Sequence, residues 1–192
     1  MISNIKKIFL PLLPFFFLLI TSACIYFYVD TDTLLEIIGT KNSYLMMFVI
    51  AFLGGLTTFN FIPYYSVIFL LVNAGLNPFL VGASSALGVM CGDTFSYFMG
   101  YSGGKAIPEN YKYLLEKMAT FAQKYPNLFI AVSFIYGSIS PLSNDFITIP
   151  AGIVKIPYIK VMIPLALGNL VFNISLSYLI LYAFDYVKFI FN

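Results

Sequence analysis

From residue 42 to residue 92 the chain carries no charged side chain. That is about fifty residues, enough for roughly two crossings of a bilayer at about twenty apiece. The remainder has the same character: 60% of the 192 residues are hydrophobic and only 9% are charged, too apolar for a soluble domain of ordinary composition. The expected fold is an all-α polytopic membrane protein, multi-pass in a cell membrane.

Charge and turn signals divide the chain into segments. A basic leader at 1–7 precedes an apolar run at 8–29, expected to be an N-terminal transmembrane helix with a cytoplasmic N-terminus. Thr21-Ser-Ala-Cys24 matches a lipoprotein cleavage site poorly, because the apolar run continues through Val29. Residues 30–41 set three acids among Leu34, Leu35, Ile37 and Ile38, the composition of a short interfacial helix, and complete a first unit at 1–42. The second unit, 43–192, should hold a broken hairpin at 48–73, a transmembrane helix at 78–101, an amphipathic helix at 108–124, a second hairpin at 127–154 and a transmembrane helix at 161–184. In the amphipathic helix Tyr111, Leu114, Leu115, Met118 and Phe121 or Ala122 recur at helical spacing against Glu109, Lys112, Glu116 and Lys117.

The second hairpin is the more strongly marked. Pro141 and Pro150 each lack a backbone donor, and Pro141, Ser143, Asn144 and Asp145 all favour turns, so the backbone should open there. Opened backbone at membrane depth must be buried in protein or line a wet cavity. The segment therefore reads as the tip of a re-entrant hairpin and half of a site. Gly54-Gly55, Asn60 and Pro63 interrupt the first hairpin in a similar way, with a kinked ordinary helix as the alternative.

The two halves echo each other. Pro63 precedes Ala74-Gly75 at nearly the distance that separates Pro141 from Ala151-Gly152. Ala86-Leu-Gly88 with Asp93 and Ser96-Tyr97 is matched, with small gaps, by Ala166-Leu-Gly168 with Asn173 and Ser177-Tyr178. A hairpin, one crossing and a surface helix would bring the second hairpin in from the opposite face, making an inverted repeat. Lysine placement agrees: Lys6, Lys7, Lys105, Lys112, Lys117, Lys124, Lys155 and Lys160 fall on one side, the expected cytoplasmic one, and only Lys41 and Lys188 on the other.

The missing residue types exclude chemistry. All ten basic residues are lysine and there is no histidine, hence no imidazole base, no His-containing metal site and no bidentate arginine clamp on phosphate. A net charge of +2 is too small to suggest nucleic acid as a partner. Cys24 and Cys91 are isolated in apolar runs and read as packing residues. No enzyme, cofactor or metal is expected.

With these residues in view, the chain resembles the DedA family, also called the VTT or SNARE-associated family. Gly92-Asp-Thr-Phe-Ser-Tyr97-Phe-Met-Gly100-Tyr-Ser-Gly-Gly104 resembles the family's Gly-acid-x-x-x-Tyr-x-x-Gly-x-x-x-Gly run. Pro141 through Pro150-Ala-Gly152, then Pro157, is similar to its second re-entrant segment, and the likeness spans roughly 52–182. The resemblance implies two opposed re-entrant hairpins and a role in moving lipids between leaflets, as a polyprenyl-phosphate transporter or a phospholipid scramblase. The chain departs from the family's bacterial transporters, which carry an acid near the first hairpin and arginines around the second. Here Pro63 is followed by Tyr64-Tyr65-Ser66, and no arginine exists.

Asp93 is the leading candidate site residue, since a carboxylate inside a spanning helix costs several kcal/mol unless paired, protonated or wet. It either faces a cavity between the hairpins or hydrogen-bonds opened backbone at a tip. Asp145 is the second candidate, although turn chemistry alone explains an aspartate there. Asn60, Asn144 and Asn173 would supply donors or act as interhelical glue; Tyr97 belongs to the first signature, and Pro63 and Pro141 would break helices at the midplane. The expected function is transfer of lipid headgroups through a polar, hydrated groove, with membrane lipids as partners and protons as a second candidate. A proton- or cation-coupled carrier of a small soluble substrate and a non-transporting scaffold are the alternatives.

Overall fold

The structure, a computed structural model, describes residues 36, 38–56, 64–103 and 109–191. The N-terminal helix expected at 8–29, residues 30–35 and 37 of the segment 30–41, and Asn60, Pro63 and Lys105 lie outside the described residues.

Among the described residues every element is helical: α1 (Thr40–Leu56), α2 (Tyr64–Asn73), α3 (Pro78–Tyr101), α4 (Glu109–Lys124), α5 (Pro126–Ile139), α6 (Asp145–Ile153) and α7 (Tyr158–Phe191). Two of them, α3 and the Tyr158–Ala183 part of α7, are long and apolar enough to cross a membrane. Local chemistry sets the boundaries. Asn77 caps α3 by accepting from the backbone N–H groups of Phe79 and Leu80, at 2.9 and 3.3 Å, with Pro78 in the first turn. The break between α5 and α6 falls at residues 140–144, where proline and turn formers placed it. Other ends differ: α1 starts at Thr40 rather than 48, and α7 runs on to Phe191, past 184.

Helices α2 and α6 end alike. Gly75 and Leu76 donate back to Val72 and Leu71, and Lys155 and Ile156 donate back to Gly152 and Ala151, all at 3.0–3.1 Å. Each is a Schellman turn, which needs a left-handed residue just past the helix; Gly75 fills that position at φ 83° and Lys155 at φ 57°. The counterpart of Gly75 is thus Lys155, and the pairing of Ala74-Gly75 with Ala151-Gly152 made on sequence is out of register.

An offset of 80 residues also relates the long helices. A Cβ on Gly88 of α3 would overlap Phe48, Ala51 and Phe52 of α1, and one on Gly168 of α7 would meet Phe134, Gly137 and Ser138 of α5. The contacts correspond one for one, and in both places backbone rests on backbone, as small residues allow between apolar helices. Gly82 of α3 lies against Asn173 and Ile174, while Asp93 reaches Asn169, so α3 and α7 run antiparallel where they touch.

Two apolar clusters result. Met47, Ala51, Ile68, Leu71 and Val89 form one, from α1, α2 and α3; Tyr97, Phe129, Ile147, Met162 and Leu165 form the other, from α3 and α5 to α7, with Ala122 of α4. The buried stripe of α4 is Leu115, Ala119 and Ala122, whereas Leu114, placed on it from sequence, is 44% exposed. Cys91, expected to pack, is free and exposed on α3.

Candidate functional site

Along one face of α3, Val89 belongs to the first apolar cluster and Tyr97 to the second. Asp93 sits one turn from each, where the clusters meet. Its carboxylate is 3% exposed, and a buried charge is tolerated only with partners. They come from two other helices. Asn144 donates its side-chain amide to Asp93 Oδ2 at 2.8 Å, and Asn169 of α7 donates to the same oxygen at 3.2 Å. Asn144 also donates to Asn169 Oδ1 at 3.1 Å, which closes a triangle of three buried side chains.

Asn144 occupies the N-cap of α6, a position from which asparagine usually accepts from its own helix. It makes no such bond here. Its backbone carbonyl receives Ile147 and Thr148 at 2.8 and 2.9 Å, so the helix starts normally while its side chain serves Asp93. The positive end of α6 is thereby brought next to the carboxylate.

Asp145, 2% exposed, opens α6. Ser143 donates its hydroxyl to Asp145 Oδ2 at 2.7 Å and accepts the Asp145 N–H at 3.2 Å. This is the turn chemistry that sequence offered as the alternative, reinforced by an acid in a first helical turn. Two phenols hold the opened backbone: Tyr65 of α2 donates to the Pro141 carbonyl at 3.3 Å and Tyr136 of α5 donates to that of Ser143 at 2.9 Å. Pro141 acts through the break it creates.

Polar groups continue along α7. Asn169, Asn173 and Ser177 recur every fourth residue: Asn173 donates to the Asn169 carbonyl and Ser177 to that of Asn173, both at 2.8 Å. Ser85 of α3 donates to Asn173 Oδ1 at 3.0 Å, and the Tyr64 hydroxyl of α2 lies near Asn173. The offset of 80 therefore places Tyr64 with Asn173 where Asn144 stands with Asp93.

No protein-family model, curated protein or solved structure matches this chain.

The site is therefore described by its own geometry. Asp93 and Asn144 are brought into contact, and Asp145 adjoins Asn144 in the chain. Tyr97 is not with them: its hydroxyl donates to the Ile156 carbonyl at 2.6 Å and its ring packs on Tyr158, pinning the α6–α7 turn. A water-filled gap was expected around the acids, yet both are closed off from solvent, Asp93 bonded by Asn144 and Asn169 and Asp145 by Ser143. Asn169 and Ser85 were missed. The spacing of Asn169, Asn173 and Ser177 in an apolar run is the signal that points to the first; a lone serine such as Ser85 gives none. Among the described residues no group of three or more His, Cys, Asp or Glu could hold a metal.

Proposed function

We propose that the protein is a DedA-like multi-pass membrane protein that moves lipid headgroups between leaflets, with the hairpins α1–α2 and α5–α6 re-entrant and inverted about the α3–α7 contact. The observation that carries this reading is the triangle of Asp93, Asn144 and Asn169, set near the middle of two helices able to cross a membrane and tied to the tip of a broken one. Lipid-facing surface supports it: Leu87, Phe95 and Phe98 on α3 and Ile163, Leu167, Val171 and Leu179 on α7 are all exposed, a distribution that water would oppose.

The described state is closed. At its C-terminal end α6 is fixed, since a Cβ on Gly152 would overlap Tyr97 of α3 and one on Gly100 would overlap Ile149. Its N-terminal end is held by the hydrogen bonds of Asn144, which water or a headgroup can replace at small net cost, and by Ile147 in the second apolar cluster. Swinging the tip about the Gly100–Gly152 contact would uncover Asp93 and Asn169, the near end of a ladder that Asn173 and Ser177 continue. That ladder covers about 12 Å of helix at 1.5 Å per residue, a polar track in which a headgroup avoids part of its desolvation cost while acyl chains stay in lipid.

A leaflet-resolved assay on purified protein in liposomes tests this. Accelerated exchange that depends on Asp93 is expected, and a rate equal to that of protein-free liposomes would remove the proposal. Because both carboxylates are sealed, 3% and 2% exposed, a proton- or cation-coupled carrier is the second reading; flux that follows a pH gradient in vesicles without the candidate lipid would favour it.

A further inference from the structure

We infer that Ser96 is a built-in release spring for α6: while the junction is closed its hydroxyl is sealed without a hydrogen bond, which favours the arrangement in which the tip of α6 has lifted off α3. Such a role rests on the swing of α6 proposed above. Ser96 is 2% exposed, and among the described residues its Oγ meets no partner. Helical hydroxyls elsewhere in the chain avoid this: Thr94, Thr120, Ser133, Ser138, Thr148 and Ser177 each donate to the carbonyl four residues back, at 2.8–3.2 Å. Ser96 does not take the corresponding bond to Gly92.

Its position explains the confinement. Gly88, Gly92, Ser96 and Gly100 recur every fourth residue along α3, and the three glycines touch main chain: Gly88 and Gly92 that of α1, at Phe48 and Gly55, and Gly100 that of α6, at Ile149. Ser96 stands where the neighbour changes from α1 to α6. Asp93, Ser96 and Gly100 also share one face at i, i+3 and i+7, and α6 lies along it: Asn144 bonds Asp93, while Cβ atoms on Gly152 and Gly100 would overlap Tyr97 and Ile149. From Asp93 to Gly100 is about 10 Å and from Asn144 to Gly152 about 12 Å at 1.5 Å per residue, so the two helices run side by side with Ser96 between the contacts at their ends.

A buried hydroxyl left without its bond costs free energy that returns once water reaches it. Glycine, which fills the rest of the stripe, or alanine would carry no such cost. The closed state is therefore the one that Ser96 penalises, and lifting the tip of α6 removes the penalty by wetting the hydroxyl beside Asp93. The bonds of Asn144 and the burial of Ile147 hold the tip down; Ser96 opposes them, which keeps the closed state from becoming a trap. Among the described residues Asn73 is the other side chain sealed without partners, and it is the last residue of α2.

Hydrogen exchange on the detergent-solubilised full chain, followed by mass spectrometry, tests this on peptides spanning 144–149. Deleting a hydroxyl that bonds to the protein loosens a fold, and deleting one that does not tightens it, so the sign decides. Ser96→Ala should slow exchange at the α6 tip about tenfold, near the lower range of what an unmade buried bond costs. Ser96→Cys, which fills the space with a weakly polar group, should slow it as well. Ser84→Ala, on the same helix and half-buried, gains the same helix propensity and should leave the tip unchanged. Slowing by neither Ser96 variant would overturn the inference, and so would equal slowing by Ser84→Ala. Slowed tip exchange in a protein that moves no lipid would leave Ser96 in this role and remove only the translocation reading; transfer in liposomes, with neither Ser96 variant slowing the tip, would do the reverse.

Discussion

Asn144 withholds its side chain from the helix it caps and gives it to Asp93, 2.8 Å away. Asn77, at the start of α3, does the reverse, accepting from its own helix at Phe79 and Leu80. The same residue type at the same kind of position thus has two roles. Asn144→Ala should leave a buried carboxylate short of a donor and cost about 1–3 kcal/mol, whereas Asn77→Ala should cost about 1 kcal/mol through its cap. Thermal unfolding in detergent measures both, and only Asn144→Ala should alter lipid transfer. Equal effects on transfer would remove Asn144 from the site.

Asp93→Asn keeps the shape and removes the charge. The amide oxygen of the new asparagine can take the Oδ2 position and accept from both Asn144 and Asn169, so the charge is lost while the hydrogen bonds are kept. Headgroup transfer should slow by about tenfold, equivalent to ~1.4 kcal/mol on the barrier. Unchanged transfer by intact Asp93→Asn protein would mean that the carboxylate is structural.

Tyr97→Phe separates the signature residue from the site. It deletes the hydrogen bond to the Ile156 carbonyl and should lower stability by about 1 kcal/mol while leaving transfer at the parental rate. A transfer defect without a stability change would place Tyr97 in the path after all.

Cys91 reports on the membrane. It is exposed midway along α3; in a crossing helix that face meets lipid. In a Cys24→Ser background an impermeant charged maleimide should fail to label Cys91 in intact or opened vesicles and should label it after denaturation. Fast labelling in vesicles would show that α3 does not span.

What could be read from sequence followed the range of the interaction responsible. The break at 140–144 was legible because proline and turn formers act on their own backbone. Asp93 stood out because a charge in an apolar run needs no neighbour to be noticed. Asn169 did not, since its importance lies in a bond to a residue on another helix, 76 positions away. Lys155 in a glycine's conformation was invisible for a related reason: its turn is set by helix-end hydrogen bonds, and sequence favours a glycine there. The rotation of α4 that exposes Leu114 depends on which helices it meets, and periodicity alone leaves that angle loose.

Gly88 and Gly168 put main chain against main chain between α3 and α1 and between α7 and α5. With no side chain in between to change rotamer, neither pair has a way to slide or splay without a collision, so each behaves as one stiff plate. The seam where the plates meet is pinned in the same way at one place, where Gly82 of α3 rests on the main chain of Asn173 and Ile174, and further along it is lined with amides and hydroxyls. Any working stroke would then have to pass along the polar stretch beyond that pin, the line that carries Asp93.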